Sequence, residues 1–390
     1  MQVYLDNAAT TKCYEQVRDI VGKVMTEDYG NPSSMHKLGV DAEKYIKEAQ
    51  SVIASQMKVE SKEIYFTSGG TESNNLAILG VAFANKRSGN HIITTQIEHP
   101  ATSATMQFLE KQGFEVTRVG VNEQGKVKAL DIKEAITDKT ILVSVMQVNN
   151  EIGSVQPIAE IGAILRDFPN IYFHVDAIQR FGKCQISPKA DGIDLLSASG
   201  HKMHGPKGIG FLYVNSRVKI APIIYGGGQQ RDMRSGTENV PGIAGFGVAA
   251  KISYEDLAEK QRHILALKKA LIEGLLKLDN VALHGIMDRD GALSIEDGAL
   301  HIVAAAFIGV RSEVMLHTLE EKGIYVSAGS ACSTHKRTPS PTLVAIGASK
   351  EQVESTIRFS FSDENTLEEI DYTLEILEEV LPMLRRYTRK

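Results

Sequence analysis

Between Ile64 and Val214 short apolar runs alternate with amphipathic stretches long enough for helices of about 10–15 residues, the pattern of a parallel sheet joined by crossover helices. The strand candidates are Ile64-Tyr65-Phe66, Ile92-Ile93-Thr94, Val116-Thr117-Arg118-Val119, Ile141-Leu142-Val143-Ser144-Val145, Ile171-Tyr172-Phe173-His174-Val175, Asp194-Leu195-Leu196 and Gly210 to Val214. This pattern predicts an α/β fold with a mainly parallel sheet. In such a sheet a ligand lies in the crevice beyond the carboxyl ends of the strands. The residues that follow each run are therefore the candidates for chemistry.

The flanking sequence predicts further elements. Val3 to Leu5 reads as a short strand, Val17, Ile20, Val21 and Val24 as one helix face, and Gly39 to Met57 as a second helix. Past Gly226-Gly227-Gly228 the pattern changes to a long helical region, about Val240 to Leu278. A smaller α+β unit follows: strands at Leu300 to Phe307, Ile324 to Val326 and Thr356 to Phe361, with helices at Ser312 to Glu321 and Leu367 to Arg386.

Composition excludes several partners. Against 43 Lys+Arg stand 48 Asp+Glu, a formal charge of −5, which offers no field for phosphate backbones or anionic lipid. No apolar run approaches the ~20 residues that span a bilayer, and Met1 to Asn7 lacks the basic and apolar regions of a signal peptide. Three cysteines, Cys13, Cys184 and Cys332, are too few for a disulfide framework and fit a reducing compartment. The expectation is a cytoplasmic protein that binds neither membrane nor nucleic acid.

The first strand exit, Gly69-Gly70-Thr71-Glu72-Ser73-Asn74-Asn75, opens a helix, and its glycines, the Thr71 hydroxyl and the free N–H groups suit either a phosphate or a plain N-cap. Glu98-His99 and Asn149-Asn150-Glu151 stand at two further exits. Asp176, after a largely apolar run, is expensive to bury unless something positive meets it; a protonated pyridine nitrogen is such a group, and a helix cap is the alternative. Lys202 lies in a loop between two core strands, where burial would free its neutral, nucleophilic amine; the alternative is a solvated loop lysine. His201 and His204 lack the Cys/His cluster that would complete a metal site. Taken together the exits match pyridoxal 5′-phosphate, whereas a nicotinamide site would want a G-x-G-x-x-G turn that the strand at Ile64 does not provide.

Motifs along nearly the whole chain carry a resemblance: Tyr4-Leu5-Asp6-Asn7-Ala8-Ala9-Thr10-Thr11, Asn31-Pro32-Ser33-Ser34, Gly70-Thr71-Glu72-Ser73-Asn74-Asn75, Glu98-His99, Asn149-Asn150-Glu151-Ile152-Gly153 and His174-Val175-Asp176-Ala177-Ile178-Gln179. It continues through Ser199-Gly200-His201-Lys202, Arg234-Ser235-Gly236-Thr237-Glu238-Asn239, Gly329-Ser330-Ala331-Cys332 and Ile357-Arg358-Phe359-Ser360. The chain resembles a cysteine desulfurase of the NifS/IscS type, a class V aminotransferase among the fold-type I pyridoxal phosphate enzymes.

That resemblance implies a large cofactor-binding domain over 14–255 and a small α+β domain formed by 1–13 with 256–390, which carries the Cys332 loop. It implies Lys202 as the cofactor's Schiff-base partner, His99 on the ring face and in proton transfer, and Asp176 on the ring nitrogen. Asn150 and Gln179 would meet the ring hydroxyl, with Asn150 also beside the substrate. Gly70, Thr71, Ser199 and His201 would hold the phosphate, with Thr237 reaching the phosphate of a second subunit in a homodimer. Arg358 would bind the carboxylate of L-cysteine.

Cys332 would accept the sulfur as a persulfide and pass it to an acceptor protein, in iron–sulfur cluster assembly or in tRNA or cofactor thiolation. Small neighbours suit Cys332 to a mobile loop, and His335, Lys336 and Arg337 favour its thiolate. Lys336-Arg337-Thr338-Pro339-Ser340 is more basic than in the longer-loop members that Gly329-Ser330-Ala331-Cys332-Ser333 resembles, which leaves the acceptor open. A selenocysteine lyase on the same scaffold and a silent cofactor-binding scaffold are the rival readings.

Overall fold

The structure, a computed structural model, describes residues 1–286, 293–328 and 339–388. Its strands are β1 (Val3–Tyr4), β2 (Ile64–Thr67), β3 (His91–Thr95), β4 (Glu115–Val119), β5 (Thr140–Met146), β6 (Tyr172–Asp176), β7 (Leu195–Ser199), β8 (Gly210–Val214), β9 (Val281–His284), β10 (Ile302–Phe307), β11 (Ile324–Tyr325), β12 (Ser327–Ala328) and β13 (Thr356–Ser360). The helices of the first part are α1 (Glu15–Thr26), α2 (Lys37–Met57), α3 (Gly70–Asn85), α4 (Pro100–Lys111), α5 (Ala129–Glu134) and α6 (Ile158–Leu165). Those of the second are α7 (Val240–Tyr254), α8 (Leu257–Leu275), α9 (Ser312–Glu321), α10 (Pro341–Ala345), α11 (Lys350–Ser355) and α12 (Leu367–Thr388).

Seven strands form the large sheet in the order β2-β8-β7-β6-β5-β3-β4. β3, β4, β5, β6 and β7 run parallel, and β8 lies antiparallel between β2 and β7. Every residue of β3, β5, β7 and β8 is buried, as expected of strands covered on both faces by helices. One polar side chain in this interior is fully paired: His174 bridges Ser144 Oγ on β5 at 2.8 Å and Ser197 Oγ on β7 at 3.0 Å. Burial pushes its pKa down to about 3, so it serves as a neutral link across three strands.

The order of neighbours reverses between β3 and β5. The chain leaves β3 for β4 on one side and returns to β5 on the other, which makes the carboxyl ends of β3 and β5 the flanks of a topological switch point. His99 follows β3 and Asn150 follows β5.

A second apolar cluster joins the two ends of the chain. Val3 and Leu5 pack with Leu267 and Leu271 of α8, Phe307 of β10, Phe359 of β13 and Leu377 of α12. β1 pairs in parallel with β11, while β12, β13, β10 and β9 form an antiparallel sheet. Asp6 makes an isolated bridge to Ser360, so the N-terminal strand brings its following turn to the seam between the two sheets.

Two expectations are corrected. The helical region from Val240 to Leu278 is two helices, broken where Asp256 takes a left-handed φ of 51°. The run at Asp194 is a strand over Leu195–Ser199, three residues past the apolar run, because Ser197, Ala198 and Ser199 still pair with β8; the Asp194 side chain accepts from Arg217 Nε at 2.6 Å, from Arg217 Nη2 at 2.5 Å and from the Phe173 N–H at 2.9 Å. β9, β12, α10 and α11 are additional elements, too short for a periodic signal.

Arg217 thus satisfies a carboxylate buried at the start of the strand that leads to Lys202. Arg217→Ala leaves that charge without its cation, and half of the arginine is already in water. A loss of about 2 kcal/mol is expected, read as a lower urea midpoint at unchanged slope.

Candidate active site

The exits of β2, β3, β5, β6 and β7 each present a different group to one cavity of about 500 Å³. After β2, Gly69 takes a φ of 151°, which favours glycine, and Gly70 starts α3. An added Cβ on Gly70 would stand 2.2 Å from Ile178 Cδ1 and 2.9 Å from its Cγ1, so a larger residue would have to push the Ile178 side chain aside. The first turn of α3 therefore opens on the cavity with unpaired N–H groups and the Thr71 side chain. Glu72, one position on, is turned away and held by Arg234 at 2.8 Å.

After β3, His99 caps α4 by accepting the Ala101 N–H on Nδ1 at 3.1 Å. That bond requires an unprotonated Nδ1, leaving Nε2 to carry the proton. Burial pushes the His99 pKa down, Asp176 opposes this, and Lys202 adds to it. After β5, Asn150 and Glu151 line the wall, and Asp176 stands at the end of β6.

Asp176 Oδ2 accepts from Asn74 Nδ2 at 2.7 Å and Oδ1 from the Ile178 N–H at 3.0 Å. Burial nonetheless raises its pKa, against the pull of His99, the two hydrogen bonds and Lys202. A cation placed against this carboxyl would reverse that shift, which is the behaviour wanted of a partner for a protonated ring nitrogen. Gln179 is buried beside it, donating to Ala8 O at 2.8 Å and accepting from His301.

Lys202 closes a short 3₁₀ turn, Gly200–Lys202, directly after β7. Its Nζ donates to Ala8 O at 2.8 Å and Ala9 O at 2.5 Å. Burial and the neighbouring Arg358 bring its pKa down to about 8, against Asp6 and Asp176. Ser199 and His201 flank it. Burial, with Lys202, Lys207 and Lys183 nearby, pushes His201 down to about 4, so its ring is neutral at pH 7.

Arg358 on β13 reaches the cavity from the other sheet. Nη1 donates to Asn150 O at 2.8 Å, and Nη2 to Asp6 Oδ1 at 2.7 Å and Ser327 Oγ at 3.0 Å. Its Nε is buried and has no acceptor among the described residues.

The cavity is thus lined by Gly70, Thr71, His99, Asn150, Asp176, Gln179, Ser199, His201, Lys202 and Arg358. Thr237 is exposed and is not on this wall, and Cys332 lies outside the described residues. Among the described residues no group of His, Cys, Asp and Glu has the makings of a metal site, and no helix is long and apolar enough to cross a membrane.

The residue-by-residue reading passed over several participants. Asn74, which orients Asp176, stood in the quoted Gly70 motif three positions after Thr71, one helical turn on. Asp6, the partner of Arg358, is separated from it by almost the whole chain, and nothing local points to the pair. Glu98 accepts from Thr95 Oγ1 at 2.7 Å and the Met146 N–H at 3.0 Å behind His99, and burial raises its pKa to about 8.

Such a site, at the switch point of a mostly parallel α/β sheet, defines a lysine-centred enzyme of the fold-type I class. The family model "Aminotransferase class-V" matches residues 3–373. The chain is 44% identical over 385 residues to cysteine desulfurase IscS of Clostridium botulinum, covering 98% of this chain and 95% of that one. It is 44% identical to cysteine desulfurase IscS of Methanosarcina thermophila, with 98% and 93% covered. A solved NifS-like protein superposes with a TM-score of 0.91 at 36% identity, covering 98% of this chain and all of that one. The structure "SspA in complex with cysteine" matches with a TM-score of 0.79 at 34% identity, covering 94% of this chain and 100% of that one. The chain belongs to the class V aminotransferase family and, within it, to the cysteine desulfurases of the NifS/IscS type.

The lowered pKa of Lys202 has a direct readout. In the apoprotein, reductive alkylation of Lys202 by a small aldehyde should rise with pH about a midpoint near 8 instead of the ordinary lysine range. The Arg358 guanidinium holds the midpoint down, so Arg358→Gln should move it upward, measured by peptide mapping across a pH series.

Proposed function

We propose that this chain converts L-cysteine to L-alanine with pyridoxal 5′-phosphate and takes the sulfur onto Cys332 as a persulfide for an acceptor protein. The observation that carries this reading is the meeting, in one cavity, of a lysine with a depressed pKa, a buried carboxyl in need of a cation, a histidine held with Nε2 protonated, and an arginine with a buried free N–H.

The residues present fit the cofactor. The α3 N-terminus at Gly70 and Thr71, with Ser199 and His201, would hold its phosphate; Asp176 would hold the ring nitrogen, Asn150 and Gln179 the ring hydroxyl, and His99 the ring face. When bound, the cofactor supplies a carbonyl for the substrate amine and an electron-withdrawing ring. Lys202 would hold that carbonyl at rest and, once displaced by L-cysteine, use its free amine to remove the Cα proton.

Arg358 would accept the substrate carboxylate as a planar fork, and the carboxylate would relieve its unpaired Nε. The Cys332 thiolate then attacks the substrate sulfur. As the new S–S bond forms, the bond from sulfur to Cβ breaks, its electron pair stays with Cβ, Cβ takes a proton to become a methyl group, and Cα takes back the proton that the Lys202 amine removed, which gives L-alanine.

The domains would divide at 14–255 against 1–13 with 256–390, so that the substrate arginine and Cys332 come from the small unit and the cofactor groups from the large one. The exposed Thr237 supports a two-fold dimer in which it serves the partner's phosphate. The acceptor would belong to iron–sulfur assembly or to a thiolation pathway, in the cytoplasm.

Asp176→Asn should still take up pyridoxal phosphate, seen as visible absorbance, yet slow Cα deprotonation by at least ~10²-fold, because an amide cannot balance the ring charge. Solvent exchange of the Cα hydrogen measures it, and an unchanged rate removes Asp176 from its role.

Cys332→Ser tests the function itself. It should bind cofactor and L-cysteine with the parent's spectral change but make almost no alanine over many turnovers, since a serine hydroxyl is a poor nucleophile toward sulfur at pH 7. Brief exposure of the parent chain to L-cysteine should add one sulfur to the Cys332 peptide and none to those of Cys13 and Cys184. Parental turnover in Cys332→Ser, or sulfur on another cysteine, overturns the reading.

A further inference from the structure

The side chain of Gln179, three positions after Asp176, is fixed at both ends of its amide. Nε2 donates to Ala8 O at 2.8 Å, and Oε1 faces His301 Nε2 at 3.2 Å. A carbonyl oxygen only accepts, so the end at Ala8 is the nitrogen and the end at His301 is the oxygen. His301 must then carry a proton on Nε2. Burial, followed by Lys183, Lys268, Arg180 and Arg358, pushes its pKa well below the ordinary histidine value, so the ring is a neutral donor at pH 7. Among the described residues this is the one side-chain hydrogen bond that His301 makes, and none of the roles above uses it.

Both partners of the amide hang from the end of β13. The Ala8 N–H donates to Ser360 Oγ at 2.8 Å, and His301 O accepts the Phe361 N–H at 2.9 Å. The segment before His301 is pinned as well: the Ala299 N–H donates to Gly153 O at 2.7 Å, and Ala299 O accepts from the buried Lys268 at 2.9 Å. The large sheet thus supplies the glutamine, and the second sheet decides which way its amide turns.

Ala8 O also accepts from Lys202 Nζ, at 2.8 Å, so Gln179 Nε2 and the lysine amine meet at one carbonyl. Nε2 therefore stands on the Lys202 side of the amide, and its second hydrogen is free for the cavity that Gln179 lines. Oε1 lies against His301, which lines a separate small hollow behind Gln179. Without the histidine, Oε1 would be a buried acceptor with no donor, and such an orphan is costly enough to turn the amide toward any donor nearby. A protonated ring hydroxyl on the cofactor is one.

We propose that His301 is a positioning residue for the cofactor's ring oxygen: by holding Gln179 Oε1 away from the cavity it commits the amide to meet that oxygen with an N–H. An N–H favours the anionic ring oxygen, so the proton shared across the site stays on the lysine nitrogen, the form that a substrate amine attacks. This rests on pyridoxal phosphate as the cofactor and on Gln179 beside its ring hydroxyl, and adds the residue that sets which end of the amide is presented.

The test uses the loaded protein without L-cysteine and reads its absorbance. A visible band reports the proton on the lysine nitrogen, and a near-ultraviolet band reports it on the ring oxygen. His301→Leu should lower the ratio of visible to near-ultraviolet absorbance at pH 7 roughly ten-fold, the scale of one buried hydrogen bond. His301→Gln, whose side-chain N–H reaches about as far as the imidazole Nε2, should keep the parent's ratio. In a Gln179→Leu background, adding His301→Leu should change nothing further, because the histidine acts through that amide. A second measurement needs no substitution in the site: heteronuclear magnetic resonance of the histidine-labelled apoprotein should show His301 neutral with its proton on Nε2.

The parent's ratio in His301→Leu overturns the proposal, and so does an equal further fall in the Gln179→Leu background. If His301→Leu does not fold, the tautomer decides: a proton on Nε2 supports the proposal and a proton on Nδ1 overturns it. If the parent chain shows no visible band with pyridoxal phosphate, the cofactor reading fails instead, and the tautomer in the apoprotein still tells whether His301 holds Gln179.

Discussion

Asp176 is a carboxyl at the end of a strand whose neighbours are apolar, and the site is arranged around the need to balance it. The backbone of β6 is locked between β5 and β7, with Asp176 in register with Met146 and Ser197. Its side chain therefore has one direction to go. Asn74 and the Ile178 N–H satisfy part of its hydrogen-bonding demand but supply no full charge. A buried carboxyl with neutral partners keeps a raised pKa, and only a cation within a few ångströms turns it into a stable carboxylate. The same burial lowers the pKa of His99 and brings that of Lys202 down to about 8, so that the lysine's free amine is within reach near neutral pH.

Those shifts persist because the surrounding scaffold is rigid. His174 ties β5, β6 and β7 together two residues before Asp176, and Arg217 holds the start of β7 through Asp194. Lys202 is fastened to the carbonyls of Ala8 and Ala9 and, through its own carbonyl, to Lys183. Each catalytic candidate thus stands on an element whose position is fixed by core packing, the condition for holding a geometry within fractions of an ångström.

The second sheet makes the cavity complete. Arg358 crosses the seam, and its fork binds Asp6, Ser327 and Asn150 at once. Asp6 owes its place to β1, which pairs with β11 and packs into the cluster of α8, β13 and α12. The N-terminal strand therefore links the arginine that would hold substrate to the carbonyls that hold Lys202. A ligand that draws Arg358 away from Asp6 would be felt on both sides of the cleft.

The central alternation of apolar runs and helical stretches determined a mostly parallel sheet, because strands covered on both faces need continuous apolar sequence and a parallel return needs a crossover. The sequence also placed Gly70, His99, Asn150, Asp176 and Lys202 at strand exits, where α/β sheets gather ligands. Most strand boundaries came out within a residue or two, with β7 running three residues past its apolar run, while the break at Asp256 stayed hidden, since a single left-handed residue leaves the apolar period intact. Long-range pairings were decided by the tertiary structure alone: Arg358 with Asp6, Asn74 with Asp176, and Glu151 with Ser340 and Thr342. Local sequence carries periodicity and capping, which act over one or two turns. The partner of a buried charge is chosen by which distant elements fold against it, and no spacing within the chain records that choice.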